Sequence, residues 1–234
     1  YNHFDPTVGP LVNYWKFGPD GKYNLSSIDS MKVDSLMGVV SFKRIILEKE
    51  GPFFTITKSD PRVKLDLSAI AKGYGVDVIA DYLNSNQINN YFVDIGGETK
   101  VAGNNDKGIP WVLGINTPKE DAAMNDLAKI LSISDKAVAT SGNYRNVYEI
   151  EGIKVSHTIN PFTGYPERSN LLSATIIHDD CMFADAYATA CMVMGLDKAL
   201  QFVNTHPEIS YIFLYSDASG DLKSVDSGDI TFLE

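Results

Sequence analysis

The chain has 234 residues, 44% of them hydrophobic and 21% charged, with a formal net charge of −10. That length buries a sizeable core, as one large domain or two intimate subdomains, and the composition excludes a disordered chain. The acidic balance, without any basic run, argues against nucleic acid as a partner; an anionic ligand would need local help from a metal, helix N-termini or a few lysines and arginines.

Taken in chain order, a helix is expected near Ser27–Met37, followed by strands at Val39–Leu47 and Phe53–Thr57. Between Ser68 and Leu83 the residues Ile70, Tyr74, Val78 and Tyr82 recur every four positions, with Ala71, Gly75, Ile79 and Leu83 in the adjacent row. That period predicts a helix, with Ser68 placed to cap it. Runs rich in β-branched and aromatic residues predict strands at Tyr91–Ile95, Trp111–Ile115, Lys129–Ser134 and Leu171–Ile177. A helix over Met182–Met194 is expected to bury Phe183, Ala186, Tyr187, Ala190, Cys191 and Met194 as one face, capped by Asp179 or Asp180. A further helix from Asp197 to about Asn204 and a strand at Tyr211–Tyr215 complete the pattern. Strands dominate without regular βαβ alternation, so the expected class is α+β with largely antiparallel sheets and a few packed helices, not a Rossmann fold. No repeat or low-complexity segment stands out, and no apolar run approaches a membrane span. Cys181 and Cys191 fall on one helix, roughly 15 Å apart along its axis, which is too far for a disulfide.

Five stretches carry candidate chemistry. Asp185 and Thr189 lie four residues apart, hence on one helical face, and offer two hard oxygen donors that suit Mg2+ better than zinc or copper. The plainer alternative is an acidic residue favourably placed in a helix's first turn. The run LDLSAIAKGYGVD (Leu65–Asp77) opens a helix with Gly73 and Gly75 in its early turns. Each glycine weakens a helix by about 1 kcal/mol, so close approach by a ligand or by another backbone would explain them. Free N–H groups at such a terminus suit phosphate, and Lys72 can add a charge; a tight packing contact with Lys72 solvated is the alternative. DIGGE (Asp94–Glu98) follows an apolar strand; its paired glycines fit either a turn under a planar ligand or a plain hairpin. ATSGNYR (Ala139–Arg145) and SHTINPFTGYP (Ser156–Pro166) place polar groups on loops, and His157 among them is a candidate base, unless it is structural.

In order along the chain, FDPTVGPLVNYWKFG (Phe4–Gly18), LDLSAIAKGYGVD, VDIGGE (Val93–Glu98), WVLGINTP (Trp111–Pro118), TSGNYR (Thr140–Arg145), SHTINPFTGYP and ADAYATACMVMG (Ala184–Gly195) resemble the ApbE family of FAD:protein FMN transferases. The resemblance implies one ApbE-like, T-fold-like domain over residues 1–234. It implies Mg2+ held by Asp185, Thr189 and the Ala71 carbonyl, a flavin nucleotide met by Phe4, Asp5, Ser68, Lys72, Tyr74 and Ile159, and His157 as the catalytic base. The implied reaction moves FMN from FAD to a Ser or Thr hydroxyl of an acceptor flavoprotein, a subunit of a membrane redox complex, and releases AMP. The implied location is outside the cytoplasm of a bacterium, periplasmic or membrane-anchored. Two alternatives stand beside it: hydrolysis of FAD to FMN and AMP by the same site, and a non-catalytic flavin-binding member. Two departures are visible. Asn160 stands where the family commonly has Asp, which removes a carboxylate that would help orient His157 or the metal. The sequence also starts three residues before Phe4, where members carry a substantial stretch, so an N-terminal part of the family domain, with some flavin contacts, is expected to be missing.

Overall fold

Short β-branched and aromatic runs broken by glycine turns become antiparallel ladders in the computed structural model, which describes residues 3–18, 25–119, 126–143 and 147–233. Helices α1 (Gly9–Tyr14) and α2 (Ser30–Met37) and a 3-10 turn at Phe42–Arg44 precede strands β1 (Ile45–Glu50) and β2 (Phe53–Lys58). Helix α3 (Ser68–Ser85) leads into β3 (Tyr91–Ile95), β4 (Glu98–Ala102), β5 (Trp111–Asn116), β6 (Leu127–Ile133), β7 (Lys136–Gly142), β8 (Val147–Ile150), β9 (Ile153–Ser156) and β10 (Leu171–His178). Helices α4 (Cys181–Met194) and α5 (Leu196–Val203) and strands β11 (Ser210–Ser216), β12 (Leu222–Asp226) and β13 (Thr231–Phe232) follow. Every strand pairing among the described residues is antiparallel, so the fold is α+β as the sequence pattern predicts.

By backbone contacts the chain divides into two units. The first comprises Tyr1–Leu67 and Asn146–Arg168. Its core gathers Leu11, Trp15, Val33, Ile150, Val155 and Ile159. Trp15 is fully buried, and its indole N–H finds the partner such burial demands, donating to the Gly164 carbonyl at 2.7 Å. The Tyr148 hydroxyl donates to the Trp15 carbonyl at 2.9 Å, so α1 is tied to both ends of the segment from β8 to residue 164. The β1–β2 hairpin belongs to this unit and turns at Gly51, whose φ is 61°.

The second unit comprises Ser68–Arg145 and Ser169–Glu234. A six-stranded sheet, in the order β12-β11-β10-β7-β4-β3, faces a three-stranded sheet, β13-β6-β5. Side chains alternate across a strand. One face of the larger sheet therefore sends Val101, Val138, Ile177, Ile212 and Leu214 against Leu113, Ile115, Leu131 and Ile133 of the smaller. The other face packs under α3 and α4, with Val76, Ala80, Val93, Ala137 and Cys181 buried together.

Several expectations shift. The strand expected over Val39–Leu47 gives way to the 3-10 turn, because the Ser41 hydroxyl accepts from Lys43 N and Asp5 accepts from Phe42 N; the ladder starts only at Ile45. Strands β4, β7, β8, β9, β12 and β13 were not expected; β7 (KAVATSG) is made of small residues with no strand-like alternation. The expected apolar face of α4 is buried only in its C-terminal half, at Ala190, Cys191 and Met194; Ala184, Asp185, Ala188 and Met192, outside that face, are buried too, whereas Phe183 is 44% exposed and packs with Tyr187 beside His178. Periodicity misleads here because α4 is apolar almost all round. Neither Asp179 nor Asp180 caps α4: Asp179 pairs with Lys136, and Asp180 stands at the N-cap without a capping bond. The caps come from Asp77 of α3, whose two carboxylate oxygens accept from Cys181 N at 3.0 Å and Met182 N at 2.8 Å. Cys181 and Cys191 do share α4, as buried free thiols. Burial pushes the Cys191 thiol up to about 12 and Cys181 well above its ordinary value.

Candidate active site

Helices α3 and α4 cross at Gly73, and the crossing explains that glycine. A Cβ there would stand 2.5 Å from the Cys181 carbonyl oxygen and 2.8 Å from Met182 Cα. Of the two constraints weighed from sequence, the one met is close approach by another backbone. At Gly75 the added Cβ would meet only Ile95 Cδ1, at 3.1 Å.

The same crossing fixes Asp185. Its carboxylate, 3% exposed, accepts from the Gly73 N–H at 3.1 Å. Burial, with the Glu98 charge second, pushes the Asp185 carboxyl up to about 6; the Gly73 N–H and Lys72 pull the other way without prevailing. Glu98 is also 3% exposed and holds a salt bridge with the Lys72 ammonium. Burial raises its carboxyl too, partly offset by Lys72. Two buried carboxylates near one lysine form an electrostatically costly arrangement that a divalent cation would relieve.

One turn along α4, the Thr189 hydroxyl lies 3.1 Å from the Ser141 hydroxyl of β7. Asp185 and Thr189 offer oxygen donors alone, which suits a hard cation, and Ala71 is exposed near the start of α3. Among the described residues no three His, Cys, Asp or Glu side chains gather as a metal cluster, so such an ion would depend on hydroxyl and carbonyl donors as well. Ser68 is the first residue of α3 and is exposed, as is Tyr74 at 58%. DIGGE proves to be the β3–β4 hairpin: Ile95 pairs with Glu98 across Gly96 and Gly97, whose φ values of 62° and 100° suit the two-residue turn that matches sheet twist. That turn delivers Glu98 to Lys72. Neither Glu98, within DIGGE, nor Asp77, at the end of LDLSAIAKGYGVD, carries a role legible from the sequence alone. For Glu98 the signal was an acidic residue directly after the glycine pair that follows an apolar strand.

Phe4, Asp5, His157 and Ile159 lie in the first unit. The Asp5 carboxylate accepts from Thr7 N at 2.9 Å, from the Thr7 hydroxyl at 2.6 Å and from Phe42 N at 2.9 Å, while Phe4 is half-buried beside it. Asp5 therefore organises its own loop. His157 is half-buried with its ring edge toward Phe17, 6.2 Å between centroids. The neighbouring Ser156 hydroxyl is buried and has no hydrogen-bond partner among the described residues. Ile159 is 6% exposed, its side chain spent on the core, and it forms a single bridge to Pro166. Asn160 is matched to its site: its amide donates to Glu167 Oε2 at 2.7 Å and its carbonyl oxygen accepts from Phe162 N at 2.9 Å. An Asp there would oppose the Glu167 carboxylate, which gives the departure from the family pattern a local reason. Of the Thr140–Arg145 stretch, Thr140 shares a hydrogen bond with Thr175 at 2.8 Å, whereas Tyr144 and Arg145 lie outside the described residues.

A sequence model described as the ApbE family matches residues 1–213. The FAD:protein FMN transferase of Vibrio cholerae serotype O1 is 41% identical over 196 residues, covering 84% of this chain and 57% of that protein. The protein of the same name from Haemophilus influenzae is 34% identical over 213 residues, covering 91% and 61%. Among solved structures, a flavin transferase from Vibrio cholerae superposes with a TM-score of 0.83 at 37% identity, covering 96% of this chain and 68% of the other. The chain thus spans 57% and 61% of the length of these two curated relatives.

Proposed function

The chain belongs to the ApbE family, and from that premise we propose that it transfers FMN from FAD to a serine or threonine hydroxyl of an acceptor flavoprotein, releasing AMP. The observation that carries the reading is the buried Asp185 carboxylate, set beside Glu98 and one helical turn from the Thr189 hydroxyl, a set of hard oxygens with an excess of buried negative charge. Asp185, Thr189 and the Ala71 carbonyl would hold Mg2+, which when bound neutralises pyrophosphate charge and polarises the phosphorus under attack.

The chain's own residues supply the rest. Lys72, held by Glu98, adds a point charge for phosphate oxygens. Ser68 and Tyr74, exposed on the first turns of α3, and Phe4, Asp5 and Ile159 are the proposed flavin-nucleotide contacts; Asp5 would act through the loop it organises and Ile159 through its backbone. A ring nitrogen of His157 would take the proton of the acceptor hydroxyl as its oxygen bonds to the FMN phosphorus; the bond from that phosphorus to the AMP oxygen breaks, and AMP leaves with the electron pair. The proposed acceptor is a subunit of a membrane redox complex, reached outside the cytoplasm; no helix among the described residues is long and apolar enough to cross a membrane.

The test mixes the protein with FAD, Mg2+ and a flavin-acceptor domain and reads in-gel fluorescence and acceptor mass. The expected result is an acceptor heavier by one FMN moiety, with one AMP per event. FMN and AMP in solution with an unmodified acceptor would make the chain a hydrolase, and FAD binding without turnover would make it a flavin-binding member; either result overturns the transferase reading.

A further inference from the structure

Helix α4 carries Asp185 and Thr189 but provides no capping bond of its own, and α3 provides it instead. We propose that Asp77, braced by Lys100, is a positioning residue that sets the Asp185 carboxylate for its cation. The proposal rests on the metal-dependent reading above and adds two residues that it did not use.

Gly73 and Asp77 are one turn apart on α3, and Cys181 and Asp185 are one turn apart on α4. The two pairs meet twice. At one end Asp77 receives the N–H groups of Cys181 and Met182, at 3.0 and 2.8 Å. At the other the Gly73 N–H reaches Asp185 at 3.1 Å. Between them the bare Cα of Gly73 admits the Cys181 carbonyl. Two attachments one turn apart fix both the rotation of α4 about its axis and its slide along α3. A cap built from α4's own residues would fix neither.

Lys100 completes the brace from β4. Its ammonium lies 2.9 Å from Asp77 Oδ1 and 3.9 Å from Asp180, and the Lys100 and Asp77 side chains are only 16% and 15% exposed. Burial would pull the Lys100 ammonium down, but the Asp77 carboxylate outweighs it and holds it above the ordinary lysine value. The ion pair thereby holds Asp77 pointed at two N–H groups it could otherwise rotate away from. Groups behind a metal ligand matter because a misplacement of about 0.5 Å degrades a site, and losing such support typically weakens metal binding about 10- to 100-fold.

The experiment uses the full chain with Mn2+ as the probe, read by electron paramagnetic resonance and calorimetry, alongside melting curves and FMN transfer at limiting and saturating Mg2+. Asp77→Ala is expected to weaken Mn2+ binding about tenfold. Its transfer rate should recover at saturating Mg2+, whereas that of Asp185→Ala should not. Asp77→Asn, which keeps one acceptor oxygen, should recover part of the affinity, and Lys100→Met should lose an intermediate amount; these two carry the test if Asp77→Ala does not fold. A folded Asp77 variant with wild-type Mn2+ affinity, whatever its melting temperature, reduces Asp77 to a structural cap and overturns the proposal. Wild-type protein that binds Mn2+ but moves no FMN overturns the proposed function alone, and wild-type protein that binds no Mn2+ overturns both.

Discussion

At the α3–α4 crossing, Asp185 is held by helix geometry. A missing Cβ at Gly73, an N–H from the same residue and a carboxylate one turn later place it between two rigid elements. The loop that bears His157 is held differently. No helix presents that histidine; its segment is pinned by Trp15, whose indole reaches Gly164, and by Asn160, which closes a turn onto Phe162 and Glu167. The cation side of the proposed chemistry is thus built into secondary structure, and the base side into side-chain tethers of a loop. Position should be tightly constrained at the first and more adjustable at the second. Substitutions should therefore act sharply at the crossing and gradually on the loop.

The largest effect belongs to Asp185→Ala. With the buried carboxylate gone, transfer at limiting Mg2+ should fall by about a thousandfold, the scale of several kcal/mol of lost charge stabilisation. Transfer at the wild-type rate under those conditions would remove the metal from the crossing. His157→Ala comes next. A lost general base typically costs about a hundredfold or more, so single-turnover transfer on bound FAD should slow by that order while FAD affinity is kept. Weakened FAD binding with an unchanged rate on bound FAD would instead make His157 a nucleotide contact, and the loop a binding element.

The crossing was half legible in the sequence. The helical period placed Asp185 and Thr189 on one face, because i and i+4 share a face on any α-helix. Glycines at 73 and 75 raised the need for a close approach. What the sequence could not supply was the partner: Gly73 and Cys181 are far apart in the chain, and Asp77 was quoted only as the last residue of a motif. Asp179 and Asp180 were the expected caps because local sequence offers the nearest acid, whereas the acid that caps comes from another helix. The same limit hid β7, whose small residues match a helix they support and not a strand pattern. The His157 loop was legible as polar and turn-rich, but its tether to Trp15 joins positions 149 residues apart. Ile159 shows the converse: quoted for its place in a motif, it gives its side chain to the core.

Two glycines on one helix set the finer scale. Gly73→Ala drives a methyl to 2.5 Å from a backbone oxygen, and backbone cannot swing aside, so the helices must separate. Overpacking of this kind costs about 1–3 kcal/mol, or a melting temperature lower by roughly 2–4 °C for each kcal/mol in a chain of this size. Mn2+ affinity should fall with it, since the same movement draws the Gly73 N–H away from Asp185. Unchanged melting would mean the crossing is looser than the structure has it. Gly75→Ala makes the smallest change. Its methyl meets only the end of the Ile95 side chain at 3.1 Å, and a Cδ1 can yield a few tenths of an ångström by turning about one bond. Against that small strain stands the gain of about 1 kcal/mol from replacing glycine by alanine inside a helix. The two should nearly cancel, leaving melting within a few degrees of wild type and Mn2+ binding unaltered. A drop as large as that of Gly73→Ala would show that the β3 side of α3 is as tightly set as the α4 side, and the rigidity ascribed to the crossing would belong to the whole helix.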